Sequence, residues 1–345
     1  MNMLNTSTPR AAIVVLNYKA IEDTLACIES LMHQSYKDFH IIVVENGSRD
    51  TSAVELHKLE KKYPEKITVL YNEHNLGFTG GVNTGIEWAQ NHQYPYVALF
   101  NNDAIADRIW LESLVTKIET SKELGIVTSL LLRQDGNTID STAEQYSTWG
   151  LAFPQNRDKP VTEAPQEALI FGATGGASLY RMEMLRDIGV FDESFFAYYE
   201  DVDLSFRAQL AGWKIMYTPN AIAYHKQGAT SNKMPGGFTI YQTFKNLPLL
   251  FTKNVPRGLL FSVGIRFWFA YIMMLGHAIK KGRGWPALKG WIKSIQLFWT
   301  SALPARRKIQ SNKKVSTAYI RSILWPDLPP DQTGLRKVRK FFTGK

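Results

Sequence analysis

A short acidic segment preceded by aromatic residues is the part of the chain best suited to acid–base chemistry. Three carboxylates, Glu200, Asp201 and Asp203, lie at the start of a stretch whose apolar spacing predicts a helix. The aromatic residues that lead into it are Phe195, Phe196, Tyr198 and Tyr199. An aromatic wall can exclude water from a carboxylate and tune it as a general base. Acidic residues also complement the dipole at a helix start, so simple capping is the alternative interpretation.

Two residues elsewhere have the types that bind divalent cations. Asp103 follows an apolar run that begins at Tyr96, and His225 closes a later apolar run. A carboxylate at a strand end can hold a cation that bridges a diphosphate. One Asp, one His, two phosphate oxygens and water would complete an octahedral set for Mg²⁺ or Mn²⁺. The alternatives are a helix cap for Asp103 and a histidine without a ligand role.

The glycine-rich segment between residues 72 and 86 is a candidate for phosphate binding. Its glycines are Gly77, Gly80, Gly81 and Gly85, and three asparagines lie among them. Bare backbone amides at a helix N-terminus hold phosphates well. The segment is not a Walker loop, because no Gly-Lys-Ser/Thr follows, and it does not match GxGxxG. A tight turn would explain the glycines but not the asparagines.

These candidates need a scaffold, and the first hundred residues predict one. Apolar runs predict strands at 11–18, 40–45, 67–72 and from Tyr96 onward, and helical spacing predicts helices at 21–34, 55–63 and 81–91. This alternation implies a mainly parallel sheet in an α/β domain, with ligands at the carboxyl ends of its strands. The polar residues at those ends are Asn17, Glu45, Asn46, Asn72, Asn101, Asn102 and Asp103.

Charge divides the chain into an acidic body and a basic C-terminal region. Residues 1–250 contain 21 Lys and Arg against 29 Asp and Glu, whereas residues 251–345 contain 19 against 2. We therefore predict a domain over 1–250 and a helical, basic, aromatic-rich region over 251–345. A basic region of this kind favours an anionic surface, and its tryptophans favour a membrane over nucleic acid.

The apolar run 258–279 is the candidate membrane element. Its length permits a spanning helix, but Arg266 within it makes spanning costly. We favour a helix that lies in the membrane interface; a spanning helix and a buried core helix are the alternatives. The polar N-terminus predicts no signal peptide, and Cys27, the single cysteine, excludes an internal disulfide. The irregular segment 134–166 either borders a substrate site or is a variable insertion.

Several motifs occur together in a specific order: ENGSRDTS, NEHNLGFTGGVNTG, LFNND, FGATGGASLYR, FFAYYEDVDLSFR, and a histidine with a glycine three residues later. Over about residues 10–250 the chain resembles glycosyltransferase family 2, particularly its bacterial rhamnosyltransferase-like and galactofuranosyltransferase-like members. The resemblance implies a GT-A fold, Asp201 as catalytic base, and Glu200 and Asp203 as its supporting acids. Asp103 matches the last carboxylate of the metal-binding DxD motif, whose first position is Asn101 here, and His225 matches the histidine that completes the metal site.

The resemblance also implies a donor site at the strand ends. Glu45 stands where the family usually has an Asp that contacts the base, and its side chain is one methylene longer. Gly175 and Gly176 would let the backbone pass close to the sugars, although strand packing also explains them. The residues expected to bind the nucleotide-sugar are Asn17, Tyr18, Glu45, Asn75, Gly77, Asn83, Asn102, Asp103, Gly175 and Gly176.

The implied activity is an inverting, metal-dependent transfer of a sugar, with rhamnose favoured. The donor would be a nucleoside-diphosphate-sugar, and the acceptor a hydroxyl of a glycan or lipid-linked glycan in cell-surface polysaccharide assembly, such as O-antigen or capsule. The enzyme would lie peripherally on the cytoplasmic side of the bacterial inner membrane. Alternatives are a galactofuranosyl- or N-acetylhexosaminyltransferase, a nucleotidyltransferase, and a non-catalytic scaffold at the membrane surface.

Overall fold

One ten-stranded sheet lies at the centre of the protein in a computed structural model, which describes residues 11–226 and 234–330 with Gln332, Gly334 and Arg336. The polar residues 1–10 and Gly228 of the histidine motif lie outside the described residues. The strands are β1 (Ala11–Asn17), β2 (Phe39–Glu45), β3 (Ile67–Tyr71), β4 (Tyr96–Phe100), β5 (Ala104–Ala106), β6 (Leu124–Arg133), β7 (Ile139–Ser141), β8 (Glu144–Tyr146), β9 (Ala152–Pro154), β10 (Ala168–Leu169), β11 (Ala177–Arg181) and β12 (Lys214–His225). The α-helices are α1 (Ile21–Met32), α2 (Ser52–Lys62), α3 (Gly77–Asn91), α4 (Trp110–Glu119), α5 (Met182–Ile188), α6 (Glu200–Leu210), α7 (Phe238–Asn254), α8 (Leu260–Lys280), α9 (Gly284–Leu297), α10 (Leu303–Ser311) and α11 (Thr317–Ile323).

The sheet is mixed, with mostly parallel strands, as the β–α alternation predicts. Its order is β10-β12-β6-β11-β4-β1-β2-β3, with β5 beside β12 and β7 beside β6. The neighbours β4-β1, β1-β2, β2-β3 and β12-β6 are parallel. Strand β11 runs antiparallel between β4 and β6. Its first residues therefore lie beside the carboxyl end of β4.

The sheet is buried on both faces, which is why β1 is a continuous apolar run. Ile13 and Val15 belong to the apolar cluster that contains residues of α1 and α4. Val14, which points the opposite way, belongs to the cluster that contains residues of α3 and α5. Helices on both faces hold the strand ends in place and leave the carboxyl edge of the sheet for a site.

A further apolar core joins the sheet domain to the C-terminal helices. Tyr146, Phe171 and Phe206 pack there with Phe244 and Phe267. Helix α7 runs across residues 250 and 251, where the composition predicts a boundary between two regions. The two predicted regions therefore share one helix and one core.

Helix α8 has two different apolar faces. On the inner face Phe267 stacks on Phe251 at 4.9 Å between ring centroids, and Tyr271 Oη donates to the Phe244 carbonyl at 2.7 Å. On the outer face Phe261 is 82% exposed and Ile272 63% exposed. By length and composition alone, residues 257–280 could cross a membrane. The buried-core alternative for this run is wrong, because its outer face is open to solvent.

Candidate active site

One cavity lies where β4 and β12 end and β11 begins. The Asn101 amide donates to the Gly176 carbonyl at 2.8 Å, which fixes the β4 end against the β11 start. Strand β5 pairs His225 with Ala104, so the end of β12 lies beside Asp103. Of the predicted site residues, those that line the cavity are Tyr18, Asn75, Gly77, Asn102, Asp103, Gly175, Gly176, Glu200, Asp201 and His225.

Asp103 and His225, which the sequence predicts as a cation-binding pair, lie in contact at the cavity. Asp103 Oδ1 lies 3.0 Å from His225 Nε2, and Asn101 Nδ2 lies 3.4 Å from the same nitrogen. Burial alone would lower the pKa of His225, but hydrogen bonds to Asp103 and Asp140 outweigh it and raise the pKa to about 9. A carboxylate and an imidazole that face one cavity suit Mg²⁺ or Mn²⁺. Within the described ranges no group of three His, Cys, Asp or Glu residues is arranged to hold a metal ion, so further ligands would come from a substrate or water.

Asp201 and Glu200 line the same cavity, but their environments differ. Asp201 accepts the amides of Gly175 at 3.1 Å and Val202 at 2.8 Å, whereas Glu200 Oε2 has no partner among the described residues. Burial and then the charge of Asp201 raise the pKa of Glu200 to about 8. Burial also raises the pKa of Asp201, and its two amide donors oppose that shift. Of the two carboxyls, Asp201 is therefore the one better able to stay ionised and accept a proton.

The aromatic loop before α6 is held by side chains of α7. Asn246 Nδ2 donates to the carbonyls of Phe195 at 3.0 Å and of Ala197 and Tyr198 at 2.8 Å each. Lys245 Nζ donates to the carbonyls of Ser194 and Phe195. Phe196, Tyr198 and Tyr199 all have positive φ, between 61° and 71°. Three non-glycine residues in this region cost conformational energy, and the bonds from α7 stabilise them.

Asp203 does not reach the cavity, which corrects its predicted role beside the base. Its side chain is fully buried, with Lys253 Nζ at 2.8 Å, Arg207 Nε at 2.9 Å and Asn254 Nδ2 at 2.8 Å. These charges lower the pKa of Asp203 although burial opposes the shift. The ion pair of Asp203 with Arg207, one helical turn later, is buried. Asp203 therefore joins α6 to α7.

Three residues expected to bind the donor also lie outside the cavity lining. Asn17 bonds to Ser48 and Thr24 side chains, and Glu45 accepts the amides of Gly47 and Ser48. Asn83 bonds to the backbone of Phe191 and to Glu193. Each of these side chains satisfies a turn or connects two elements, and its contact with a donor stays a prediction.

The glycine-rich segment is explained mainly by packing. A Cβ on Gly81 would lie 2.4 Å from Leu16, and one on Gly85 would lie 2.6 Å from Val14, so both let α3 approach β1. Gly77 has φ of 73° and lies against the Phe196 carbonyl. Two of the first amides of α3 are already used, because Gly77 N donates to Asn75 Oδ1 and Thr79 N to the Phe196 carbonyl. Phosphate binding at this helix start stays a prediction, with fewer free amides than the glycines alone suggest.

Some residues of the site were missed by sequence reasoning. Asp140 bonds to His225, and Lys245 and Asn246 hold the aromatic loop. Phe238, at the start of α7, lines the cavity and lies 6.1 Å from the Phe196 ring. None of these belongs to a motif; the one signal was the unexplained irregular segment that contains Asp140.

Comparisons with known proteins identify the family and the fold. The model of the family described as Glycosyl transferase family 2 matches residues 12–189. An uncharacterized glycosyltransferase of Haemophilus influenzae is 29% identical over 144 residues, which are 41% of this chain and 43% of that protein, so the match spans less than half of that relative. An N-acetylglucosaminyl-diphospho-decaprenol L-rhamnosyltransferase of Mycobacterium tuberculosis is 25% identical over 246 residues, 65% of this chain and 78% of that protein. Among solved structures, a mannosyltransferase of Pyrobaculum calidifontis, in complex with GDP-Man and Mn²⁺, has a TM-score of 0.55 at 14% identity and covers 92% of this chain and 86% of that one. This last likeness shows the fold.

Proposed function

Because the chain belongs to glycosyl transferase family 2, we propose that it is an inverting glycosyltransferase that uses a nucleoside-diphosphate-sugar. The observation that supports this best is the placement of Asp201 and the Asp103–His225 pair on the walls of one cavity. Such a transfer needs a base that accepts the proton of the acceptor hydroxyl and a cation that stabilises the diphosphate. Asp201 suits the first role, and Asp103 with His225 suits the second.

In the proposed reaction the acceptor hydroxyl attacks the anomeric carbon of the donor in one displacement. Asp201 accepts the hydroxyl proton as the new C–O bond forms and the bond to the diphosphate breaks. The amides of Gly175 and Val202 hold the Asp201 carboxylate. Glu200, with its raised pKa, remains protonated beside it, so two like charges do not compete at the base.

Asp103 and His225 would hold the divalent cation, Mg²⁺ or Mn²⁺. When bound, such a cation supplies positive charge that stabilises the departing nucleoside diphosphate. Asn101 leaves this pair with one acidic ligand from the DxD positions, so modest metal affinity is expected. The Mn²⁺ in the mannosyltransferase of similar fold supports a cation here.

The donor and acceptor are proposed from the relatives and the C-terminal helices. Rhamnose is the favoured sugar, since one relative is named as a rhamnosyltransferase acting on N-acetylglucosaminyl-diphospho-decaprenol. A lipid-linked acceptor also fits the exposed apolar face of α8 and the basic C-terminal region, which we propose to lie on an anionic membrane surface at the cytoplasmic side. Gly237, next to cavity-lining Phe238, packs against Pro286 of α9. The cavity thus borders the helices that would meet the membrane.

A nucleotide-sugar panel tests the proposed function. With Mn²⁺ present, dTDP-rhamnose should raise the melting temperature more than UDP-galactofuranose, UDP-N-acetylglucosamine or GDP-mannose, because the ligand that binds the folded state most tightly stabilises it most. EDTA should abolish the shift, and transfer to a polyprenyl-diphosphate-linked acceptor should follow the same donor preference. A stronger shift with another donor would reassign the sugar. Absence of transfer with every donor would favour the non-catalytic scaffold.

A further inference from the structure

The irregular segment 134–166 places the Asp140 carboxylate beside His225, on the side of the ring that faces away from the cavity. Strand β7 of this segment pairs with β6, with Leu132 opposite Ile139. Strand β12 pairs with the same strand, with Arg133 opposite His225. Two neighbours of one strand therefore place Asp140, the residue after Ile139, beside the histidine.

The contacts of the His225 ring are divided between two carboxylates. His225 Nδ1 lies 2.7 Å from Asp140 Oδ2, and His225 Nε2 lies 3.0 Å from Asp103 Oδ1. Asp103 and His225 line the cavity, whereas the Asp140 side chain is 2% exposed and lies behind the ring. One ring nitrogen thus faces the cavity and the other faces the segment.

Asp140 is itself held in place by Arg157 of the same segment. The Arg157 guanidinium lies 3.1 Å from Asp140 Oδ1, and its Nε donates to the Asp140 carbonyl at 3.1 Å. The second carboxylate oxygen is the one that meets His225. Asp140 therefore cannot turn away from the ring without losing an ion pair.

We propose that Asp140 is a positioning residue for the metal ligand His225. By accepting Nδ1–H, it orients the ring so that Nε2 is directed at the cavity, where a cation would bind. Metal-ligating histidines generally donate their other N–H to such a partner, which fixes the tautomer and raises ligand basicity. The inference rests on the metal site of the proposed function, and it gives the segment 134–166 a role in the site.

Titration with Mn²⁺ alone, followed by the free-ion electron paramagnetic resonance signal, tests this role without any sugar transfer. Asp140→Asn should weaken Mn²⁺ binding by about 10–100-fold, the usual cost of losing such a partner. Asp103→Asn removes a proposed direct ligand and shows how far Mn²⁺ binding falls in that case. Glu163→Gln is the matched control, because Glu163 lies on the same segment, is exposed and pairs with Lys159.

A second variant separates positioning from a general loosening of the segment. Arg157→Gln breaks the Arg157 contacts with Asp140 but keeps Asp140 against His225, so it should weaken Mn²⁺ binding distinctly less than Asp140→Asn. Equal losses in the two variants would overturn the inference, as would wild-type affinity in Asp140→Asn. If Asp140→Asn does not fold, Asp140→Glu, which displaces the carboxylate by one methylene, is titrated in its place with the same expectation.

The titration also separates failure of the metal site from failure of the role of Asp140. If the wild type and Asp103→Asn bind Mn²⁺ equally poorly, the metal site of the proposed function fails and the inference fails with it. If Asp103→Asn alone loses the ion while Asp140→Asn does not, the metal site stands and the role of Asp140 is wrong.

Discussion

The two walls of the cavity are built in different ways. The wall with Asp103 and His225 is fixed by strand pairing, because β5 and β6 place the ends of β4 and β12 together. The wall with Asp201 depends on a loop whose carbonyls are held by two side chains of α7, Lys245 and Asn246. Strand pairing tolerates many side chains, whereas the loop requires these particular donors. The base side should therefore be the more sensitive to single substitutions away from the cavity.

The largest expected effect separates two acids on one helix. Asp201→Asn keeps the shape of the side chain but removes its basicity, so kcat should fall by about 10²–10⁴-fold, the usual contribution of a general base. Donor affinity, measured by calorimetry, should remain unchanged. Equal loss of donor binding would contradict the role of Asp201 as base.

Asp203→Asn is the matched control, since it makes the same change two residues later. It should reduce thermal stability, because Lys253 and Arg207 lose a buried counter-charge. At temperatures where the variant is folded, its kcat should exceed that of Asp201→Asn by at least tenfold, about 1.4 kcal/mol in barrier. Similar kcat values for the two folded variants would indicate that Asp203 takes part in the reaction.

A smaller effect is expected from Asn246→Ala, which tests the loop directly. The variant removes three donor contacts and leaves carbonyls of a strained loop without them, so kcat should fall by about 10–100-fold through misplacement of Asp201. Metal and donor affinity should hold, because β4 and β12 are untouched. Gln310→Ala serves as control, since Gln310 donates to the Lys253 and Asn254 carbonyls at the far end of α7. If donor affinity falls as steeply as kcat in Asn246→Ala, the two walls are not independent.

The last effect is on the dependence of stability on pH rather than on turnover. The pKa of Glu200 is raised to about 8 in the folded protein, while an unfolded Glu ionises near 4.3. Between these values the folded state binds more protons, so this group makes stability fall as pH rises, by at most about 1.4 kcal/mol per pH unit. Its contribution is fully present below the unfolded pKa and is lost as pH approaches 8. Melting curves of Glu200→Gln from pH 5 to 8 should therefore be flatter than those of the wild type; parallel curves would contradict the buried, neutral Glu200.

The strand-built wall was largely predictable from the sequence. Apolar runs located β1 to β4, and the rule that ligands bind at carboxyl strand ends brought Asn101, Asn102 and Asp103 to one edge. His225 was a candidate because it closes a later apolar run, and the family motifs supported it. These predictions succeeded because periodicity and strand order depend on local patterns.

The rest depended on contacts between residues far apart in the chain. Asp140 reaches His225 across 85 positions, and Asn246 reaches Phe195 across 51. Asp203 matched a catalytic pattern by its spacing, yet the end of α7 draws it into the core. No local pattern reveals which of two acids on a helix meets a cavity when the opposing helix lies outside the motif.

The Lys253 ammonium has a consequence for exchanging parts between related enzymes. It lies 2.6 Å from Asp192 and 2.8 Å from Asp203, and both of these acids precede residue 250. In a chimera joined at the compositional boundary, buried Asp203 and half-buried Asp192 would face whatever residue the foreign segment supplies at position 253. Such a hybrid has an uncompensated negative charge where its two parts meet, unless the foreign segment also has a lysine at this position. The C-terminal helices therefore cannot be exchanged on their own between related enzymes. An exchange has to include the whole of α7 together with Asp192 and Asp203.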